Sequence, residues 1–401
     1  MNRIAGRHVV LGVSGGIAAY KTCVVARRLT EAGAHVQAVL TAAAAEFVGP
    51  VTFEALTGLP PITSLWQPGR ALDHVRLGRE ADLVIVAPAT AHLIARVAQG
   101  MADDFLSALL LACRSPLLLC PAMNDRMYAH PETQANLALL RSRGVHLLGP
   151  ETGPLARGEG EGPGRMVEPE AILAHAERLL RSGAPWTGRR VLATAGPTRE
   201  RLDPVRVVSN RSSGRMGYAL AQAAWARGAD VTLVSGPSAL ASPAGIEVVR
   251  VETTAEMAAA VAEALPVADV VLMAAAPADY RPVAPLEKKA RRDEGTLKLD
   301  LEPTRDILAE TVPKRKPGAV VVGFALETGD PVPSARAKLE TKRLDLIVAN
   351  DATEPGAGPE GPTNRVTVVG KDGAEALPLG PKEEVAEAIL DRVEMLLSKR
   401  G

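Results

Sequence analysis

Aromatic side chains, cysteine and excess charge are all scarce in this sequence. Phenylalanine, tryptophan and tyrosine make up 3% of the 401 residues, and 46 basic residues balance 46 acidic ones. Zero net charge leaves no electrostatic footprint for nucleic acid or an anionic membrane surface, so neither is expected as a partner. The three cysteines, Cys23, Cys113 and Cys120, have no CxxC spacing and lie in apolar patterns, which points to buried free thiols and against a disulfide framework. His35, His92, His130, His146 and His175 keep no ligand-like spacing with cysteines or acids, so no protein-built metal site is expected. No apolar run approaches the roughly 20 residues of a membrane span. The chain enters a strand pattern at His8 without a basic and then apolar leader, so the cytoplasm is the expected compartment.

What is present is apolar material, 47% of the residues, in a chain too long for one comfortable core. Two domains are expected, residues 1–182 and 189–401, joined by a linker at 183–188 that carries Gly183, Pro185 and Gly188. His8–Val13 reads as a strand, Ser14-Gly15-Gly16 as a turn, Ile17–Ala32 as a helix stopped by Gly33, and Val36–Leu40 as the next strand. Such a βαβ unit aims a helix N-terminus, with free amides and a positive dipole, at a ligand phosphate. The turn does not fit GxGxxG, Lys21-Thr22 follows Tyr20 where a P-loop needs glycine, and the second strand ends at Thr41 without a ribose-binding acid. A mononucleotide is therefore favoured over NAD or ATP.

Further strands are expected at Asp82–Ala87, running into a Pro88-Ala89-Thr90 loop, and at Pro116–Cys120, running into Pro121-Ala122-Met123-Asn124. Ligands sit at such carboxyl ends in open α/β sheets. Asp103 and Asp104 read as helix caps, and Gly149–Arg165, dense in glycine and proline, reads as a long loop of the kind that forms lids. The second half repeats the architecture, with strands at Val191–Thr194, Val231–Val234, Val270–Met273, Val320–Phe324 and Leu346–Val348 and a helix at Met216–Arg227. Glu354–Pro362 reads as a mobile loop, and Lys382–Lys399 as an amphipathic helix with Val385, Ile389, Val393 and Leu397 on one face. The fold class is α/β, two Rossmann-like domains. Taken singly, His74 reads as a surface or core histidine, Asn124 and Asn210 as turn residues, and Lys288–Arg292 as a solvated basic run.

Taken together, the motifs say more. Ser14-Gly15-Gly16-Ile17-Ala18-Ala19-Tyr20-Lys21, Ala87-Pro88-Ala89-Thr90, Pro121-Ala122-Met123-Asn124 and the glycine-rich flap resemble the flavin-dependent cysteine decarboxylases. Thr194-Ala195-Gly196-Pro197-Thr198-Arg199-Glu200, Asp203–Gly217, Ala278-Asp279-Tyr280, Val322-Gly323-Phe324 and Val348-Ala349-Asn350-Asp351 resemble the phosphopantothenate–cysteine ligases. Their joint order is similar to that of the bifunctional coenzyme A biosynthesis family across essentially the whole chain.

The resemblance implies a flavodoxin-like flavoprotein fold for the first half, with FMN held by Ser14, Gly16, Ile17, Thr41, Ala87 and Thr90. It implies decarboxylation of 4′-phosphopantothenoyl-cysteine to 4′-phosphopantetheine, in which the flavin oxidises the thiol so that the carbanion left by CO₂ is delocalised, and then returns the hydride. His74 is the implied active-site histidine, and Asn124 the implied holder of the leaving carboxylate. The family's flap cysteine, the implied proton donor of the last reduction, is replaced by Arg157, and a guanidinium is a poor acid near neutral pH. Either another donor serves, or the reduction is impaired and this half chiefly binds flavin beside a working ligase. For the second half, a ligase α/β fold, the resemblance implies CTP-dependent joining of L-cysteine to 4′-phosphopantothenate through an acyl-cytidylate, with Mg²⁺ accompanying the triphosphate. Ala275, Asp279, Asp306, Phe324, Lys338 and Lys342 fall on nucleotide-binding positions, Asn210 on the residue that handles the acyl-cytidylate, and Lys288 on the catalytic, nucleotide-contacting lysine, with Lys289 as its alternative. The family also implies a homo-oligomer, with ligase dimers and decarboxylase trimers or a dodecamer. A regulatory flavoprotein that catalyses nothing is the reading from another class.

Overall fold

The computed structural model describes residues 4–66, 70, 72–181, 183, 185–290 and 297–400. Met1, Ser182, Ala184, Arg291, Arg292 and Gly401, on which parts of the domain, linker and basic-run expectations rest, lie outside the described residues. Contacts divide the chain into two units, Met1–Arg181 and Ser182–Gly401.

The first unit is built on a parallel sheet of β1 (His8–Val13), β2 (His35–Leu40), β3 (Leu83–Ala89), β4 (Leu117–Pro121) and β5 (His146–Leu147), in the order β2-β1-β3-β4-β5. This is the flavodoxin-like order, which reverses between β1 and β3. The unbroken apolar run of β1 serves two cores. Val9, Leu11 and Val13 pack with Val25, Ala26 and Leu29 of the Ala19–Glu31 helix, while Val10 packs on the other face with Leu106 and Leu109 of the Phe105–Ala112 helix. Alternation along a strand covered on both faces requires this division. The Ala19–Glu31 helix starts two residues later than its periodicity suggests, leaving Ser14–Ala18 as a turn. Pro88 and Ala89, expected in a loop, instead complete β3, because the Ser14 amide donates to Pro88 O at 3.3 Å and the Ala122 amide to Ala89 O at 3.1 Å.

Gly149–Arg165 is not loop throughout. It contains an antiparallel hairpin of β6 (Glu151–Pro154) and β7 (Glu161–Arg165). Glycine and proline bar a central strand, yet an isolated pair has only edges, where both are tolerated. At its tip Glu159 N donates to Ala156 O at 2.9 Å, and Gly158, third in that turn, has φ of 89°, as a type II turn requires.

The second unit has an eight-stranded sheet in the spatial order Glu247–Arg250, Asp230–Ser235, Arg190–Ala195, Val270–Met273, Val320–Glu327, Leu346–Asp351, Thr367–Gly370 and Gly373–Ala376. The first six are parallel and reverse direction of progression between Arg190–Ala195 and Val270–Met273; the last two are antiparallel, with Gly373–Ala376 at the edge, and the apolar pattern did not announce them. Val385, Ile389, Val393 and Leu397 of the Lys382–Arg400 helix are buried, as their spacing predicts. Two expectations need correction. Trp186, inside the expected linker, is buried in this unit and donates from Nε1 to Glu394 Oε2 at 2.9 Å. The expected mobile loop is tethered, since Lys382 Nζ donates to Gly358 O at 3.2 Å and Pro359 O at 2.9 Å.

Candidate active sites

At the carboxyl ends of β1–β4 lies a cavity of about 800 Å³. Ser14, Gly16, Ile17, Thr41, Thr90 and Asn124 all line it. Ala87 does not; its carbonyl accepts from Thr22 Oγ1 at 2.5 Å and ties the first helix to β3. The hydroxyls are largely spent within the protein. Ser14 Oγ donates to Pro88 O at 2.7 Å and accepts from Thr90 N at 3.0 Å, while Thr41 caps the Ala42–Phe47 helix and Thr90 the Ala91–Gln99 helix. What remains unclaimed is backbone. Among the described residues, the amides of Gly15, Gly16, Ile17 and Ala18 meet no protein acceptor. A Cβ on Gly15 would stand 2.4 Å from Ala43 Cβ, so the turn admits no side chain there and a ligand can approach the amides. Unclaimed amides at a helix start, backed by apolar walls from Ile17, Leu93, Met123 and Met127, fit a cofactor with a phosphate and a flat apolar ring, as FMN has.

Asn124 resolves its own ambiguity. Its Oδ1 accepts from Arg126 N at 2.9 Å and caps the Asp125–Ala129 helix, whereas Nδ2 has no partner among the described residues. The hairpin packs against this loop, with Met123 N donating to Gly164 O at 3.0 Å. Lys21, buried, holds the hairpin's far end through Met166 O at 2.9 Å and Glu168 Oε1 at 3.0 Å. That ammonium, with Arg165, keeps the Glu168 carboxyl below the usual carboxylate range. Besides Ala87, two expected residues stand apart from the cavity. His74 packs its ring edge on Phe105, 6.3 Å between centroids, and its buried Nδ1 has no partner among the described residues. Arg157, at the second position of the hairpin turn, is exposed and does not line the cavity, whereas Ala156 and Glu159, the first and fourth residues of that turn, do.

The second unit has a cavity of about 760 Å³ at the carboxyl ends of its central strands. Asn210, Ala275, Asp279, Asp306, Phe324, Lys338 and Lys342 line it; Lys288 and Lys289 are exposed and do not. Asn210 Nδ2 donates to Pro277 O at 2.9 Å, and Ala275 N to Thr194 Oγ1 at 3.1 Å, so the loop is fixed by its own polar groups. Both nominated lysines have anionic partners. Lys338 lies 2.6 Å from Glu327 Oε1 and holds that carboxyl below the usual range. Lys342 lies 2.9 Å from Asp306; burial pushes this carboxyl up, but the lysine and backbone amides outweigh it and hold it low.

Sequence reasoning missed Glu159, Arg215 and Lys382. Arg215 and Lys382 line the second cavity, and Lys382 is 1% exposed. A signal existed: each is the first residue of a long helix, Arg215–Ala226 and Lys382–Arg400, where the dipole disfavours a cation. Nothing in the sequence marks Glu159, because its place depends on the turn.

Comparison with known proteins agrees with this division. Residues 2–181 match the Flavoprotein family, and residues 186–397 the DNA/pantothenate metabolism flavoprotein C-terminal domain family. The chain is 46% identical over 396 residues to the coenzyme A biosynthesis bifunctional protein CoaBC of Vibrio cholerae serotype O1, covering 97% of this chain and 98% of that one. It is 43% identical over 401 residues to CoaBC of Bacillus subtilis (strain 168), covering 98% of each. Among solved structures, the C-terminal domain of a CoaBC is 42% identical, covering 53% of this chain and 97% of that one, with a TM-score of 0.44. An open flavodoxin-like unit followed by a ligase-type unit, each with a cavity at its strand ends, is thus the arrangement of an enzyme, and the chain belongs to the bifunctional coenzyme A biosynthesis proteins, a flavoprotein decarboxylase joined to a ligase.

Proposed function

We propose that the second unit joins L-cysteine to 4′-phosphopantothenate at the expense of CTP, which is cleaved to CMP and pyrophosphate with Mg²⁺ accompanying the triphosphate, and that the first decarboxylates the product with FMN. The observation that carries the reading is Asn124, whose unpartnered Nδ2 lines a cavity that also receives four unclaimed amides. FMN, when bound, supplies the two-electron oxidation of the substrate thiol and its reversal. Gly15–Ala18 hold its phosphate, Ile17 and Leu93 line its apolar part, and Nδ2 of Asn124 orients the carboxylate that leaves as CO₂. Ser14 and Thr90 brace the loops, and Thr41 and Ala87 support them. His74 acts on a cavity of another copy in the expected oligomer, since it lies outside its own and exposed Ile17, Tyr20 and Val24 offer an apolar contact face. The proton of the closing reduction comes from Glu159, an exposed residue of the hairpin turn that lines the cavity where Arg157 does not.

In the second unit Phe324, Ala275 and Asp279 receive the nucleotide, Lys338, Lys342 and Asp306 its charged part, and Asn210 the acyl-cytidylate. Activation makes a carboxylate reactive to an amine by giving it a leaving group. Lys288, or else Lys289, reaches the triphosphate only if the Glu287–Ala290 stretch approaches the cavity. The test is separate assay of CO₂ release and CTP-dependent pyrophosphate release on one preparation; absence of either defeats that half of the proposal. Replacing Lys288 and Lys289 by glutamine one at a time assigns the lysine. Glu159→Gln is expected to release CO₂ yet accumulate the unsaturated thiol, read by mass spectrometry, while Arg157→Cys leaves the product unchanged. An unsaturated product already in the wild type, restored to the saturated one by Arg157→Cys, would establish the impaired reading instead.

A further inference from the structure

Lys382 presents an electrostatic puzzle. The residue is 1% exposed, and its ammonium donates to two neutral carbonyls, Gly358 O and Pro359 O, which leaves one of its three hydrogens without an acceptor among the described residues. Among the described residues it has no carboxylate partner within salt-bridge distance, and neither has Arg215, its neighbour in the cavity wall. A buried charge is ordinarily paired, because neutral dipoles replace only part of its hydration. Here two cations face one another instead. Burial and the Arg215 charge together push the Lys382 ammonium down to about 8. Each also begins a helix of 12 or 19 residues, so two helix dipoles direct their positive ends to the same place. Lys338 and Lys342, by contrast, are already neutralised by Glu327 and Asp306. The positive charge left over in this cavity is therefore concentrated where no residue had been assigned.

We propose that the Arg215–Lys382 end of the second cavity is a subsite for a phosphate dianion carried by a ligase substrate. A dianion there supplies the missing counter-charge, accepts the spare Lys382 hydrogen, and relieves the repulsion between the two cations. It also bears on the loop above. Lys382 and Ser213 Oγ, 3.1 Å from Pro359 O, hold the segment that contributes Pro359 and Glu360 to the cavity wall, so anion binding and order of that segment are linked. The inference rests on the ligase reading for the identity of the substrate, and the phosphate has two possible sources: the monoester of phosphopantothenate and the triphosphate of CTP.

The test uses the full-length protein and two variants, Arg215→Gln at an exposed side chain and Lys382→Met at the buried one. Calorimetric titration with inorganic phosphate is expected to show binding to the wild type that weakens about tenfold in each variant. Steady-state ligation then assigns the source. A rise of about tenfold in KM for phosphopantothenate, with KM for CTP unmoved, identifies the monoester; the reverse identifies the triphosphate. CO₂ release from supplied phosphopantothenoyl-cysteine is the internal control for the folded chain. Should Lys382→Met fail to fold, Arg215→Gln decides alone. Unchanged phosphate binding and unchanged KM values in Arg215→Gln overturn the subsite. A wild type that binds phosphate at this end but releases no pyrophosphate from CTP would instead overturn the ligase reading and leave the subsite standing.

Discussion

Asn124 divides its amide between structure and chemistry, and substitution can separate the two. Asn124→Asp keeps an oxygen to accept from Arg126 N, so the helix cap survives, but it loses the Nδ2 donor and places a like charge before the substrate carboxylate. Thermal stability is expected to stay within about 0.5 kcal/mol of wild type while CO₂ release falls by about a hundredfold. Asn124→Ala, which removes the cap as well, costs about 1 kcal/mol in addition. Equal loss of stability in both variants would show that the donor has no separate role. Lys382 provides a pH prediction. Its native value of about 8 lies below the ordinary 10.5, so between these values the unfolded chain binds more protons than the native one, and stability rises with pH. Below about pH 8 the full penalty of the buried cation is present. Beside burial, Arg215 and Glu383 are the charges acting on Lys382, the first pushing its value down and the second up. Melting temperatures of wild type and Lys382→Met, measured from pH 7 to 10, should therefore shift relative to one another in favour of the wild type at high pH.

Among the elements, the hairpin at Glu151–Arg165 shows how far sequence reading reached and where it stopped. Its glycines and prolines located a flap over the first cavity, but the pairing of Thr152 with Pro163 and of Pro154 with Glu161 has no apolar alternation to announce it. β1 was legible because its fully apolar run meets two cores, and the Lys382–Arg400 helix because its period is regular. Thr367–Gly370 and Gly373–Ala376 were not, because the first is cut short by Gly370 and the second leaves three of its four residues exposed, so neither shows a sustained apolar run. For the sites, the motifs located the loops, and the turn at Ala156–Glu159 decided which residues line the cavity. Contact between hairpin and Asn124 loop also makes a test. A Cβ on Gly164 would come 2.1 Å from Met123 O, a backbone atom with no room to yield. Gly164→Ala should push the hairpin from the loop at a cost of about 1–3 kcal/mol and depress CO₂ release, while pyrophosphate release by the second unit stays at the wild-type rate. Undiminished decarboxylation in this variant would mean that the hairpin need not pack on Asn124 for turnover.

At the scale of the whole molecule, the question is where one folding unit gives way to the next. Glycine and proline at 183–188 mark a bend, yet Trp186 between them is 2% exposed, and its ring lies 5.7 Å from the Arg227 guanidinium. Arg227 in turn reaches Glu387, Asp391 and Glu394 on the final helix at 2.7, 2.6 and 2.9 Å, and Trp186 Nε1 shares Glu394. The second unit is thus closed on itself: a residue near its beginning and the helix at its end meet on one buried arginine. Loop closure over 208 residues is entropically costly, and a large buried aromatic with a satisfied N–H is suited to offset it. Trp186→Ala should therefore destabilise by about 3–5 kcal/mol, through lost burial and an arginine cluster opened to solvent. Because the first unit has cores of its own, the loss should fall on one half. Heating the variant is expected to abolish pyrophosphate release at a lower temperature than in wild type, while flavin fluorescence released from the first unit rises at an unchanged temperature. If both transitions moved together by the same amount, Trp186 would be joining the two units and not closing the second.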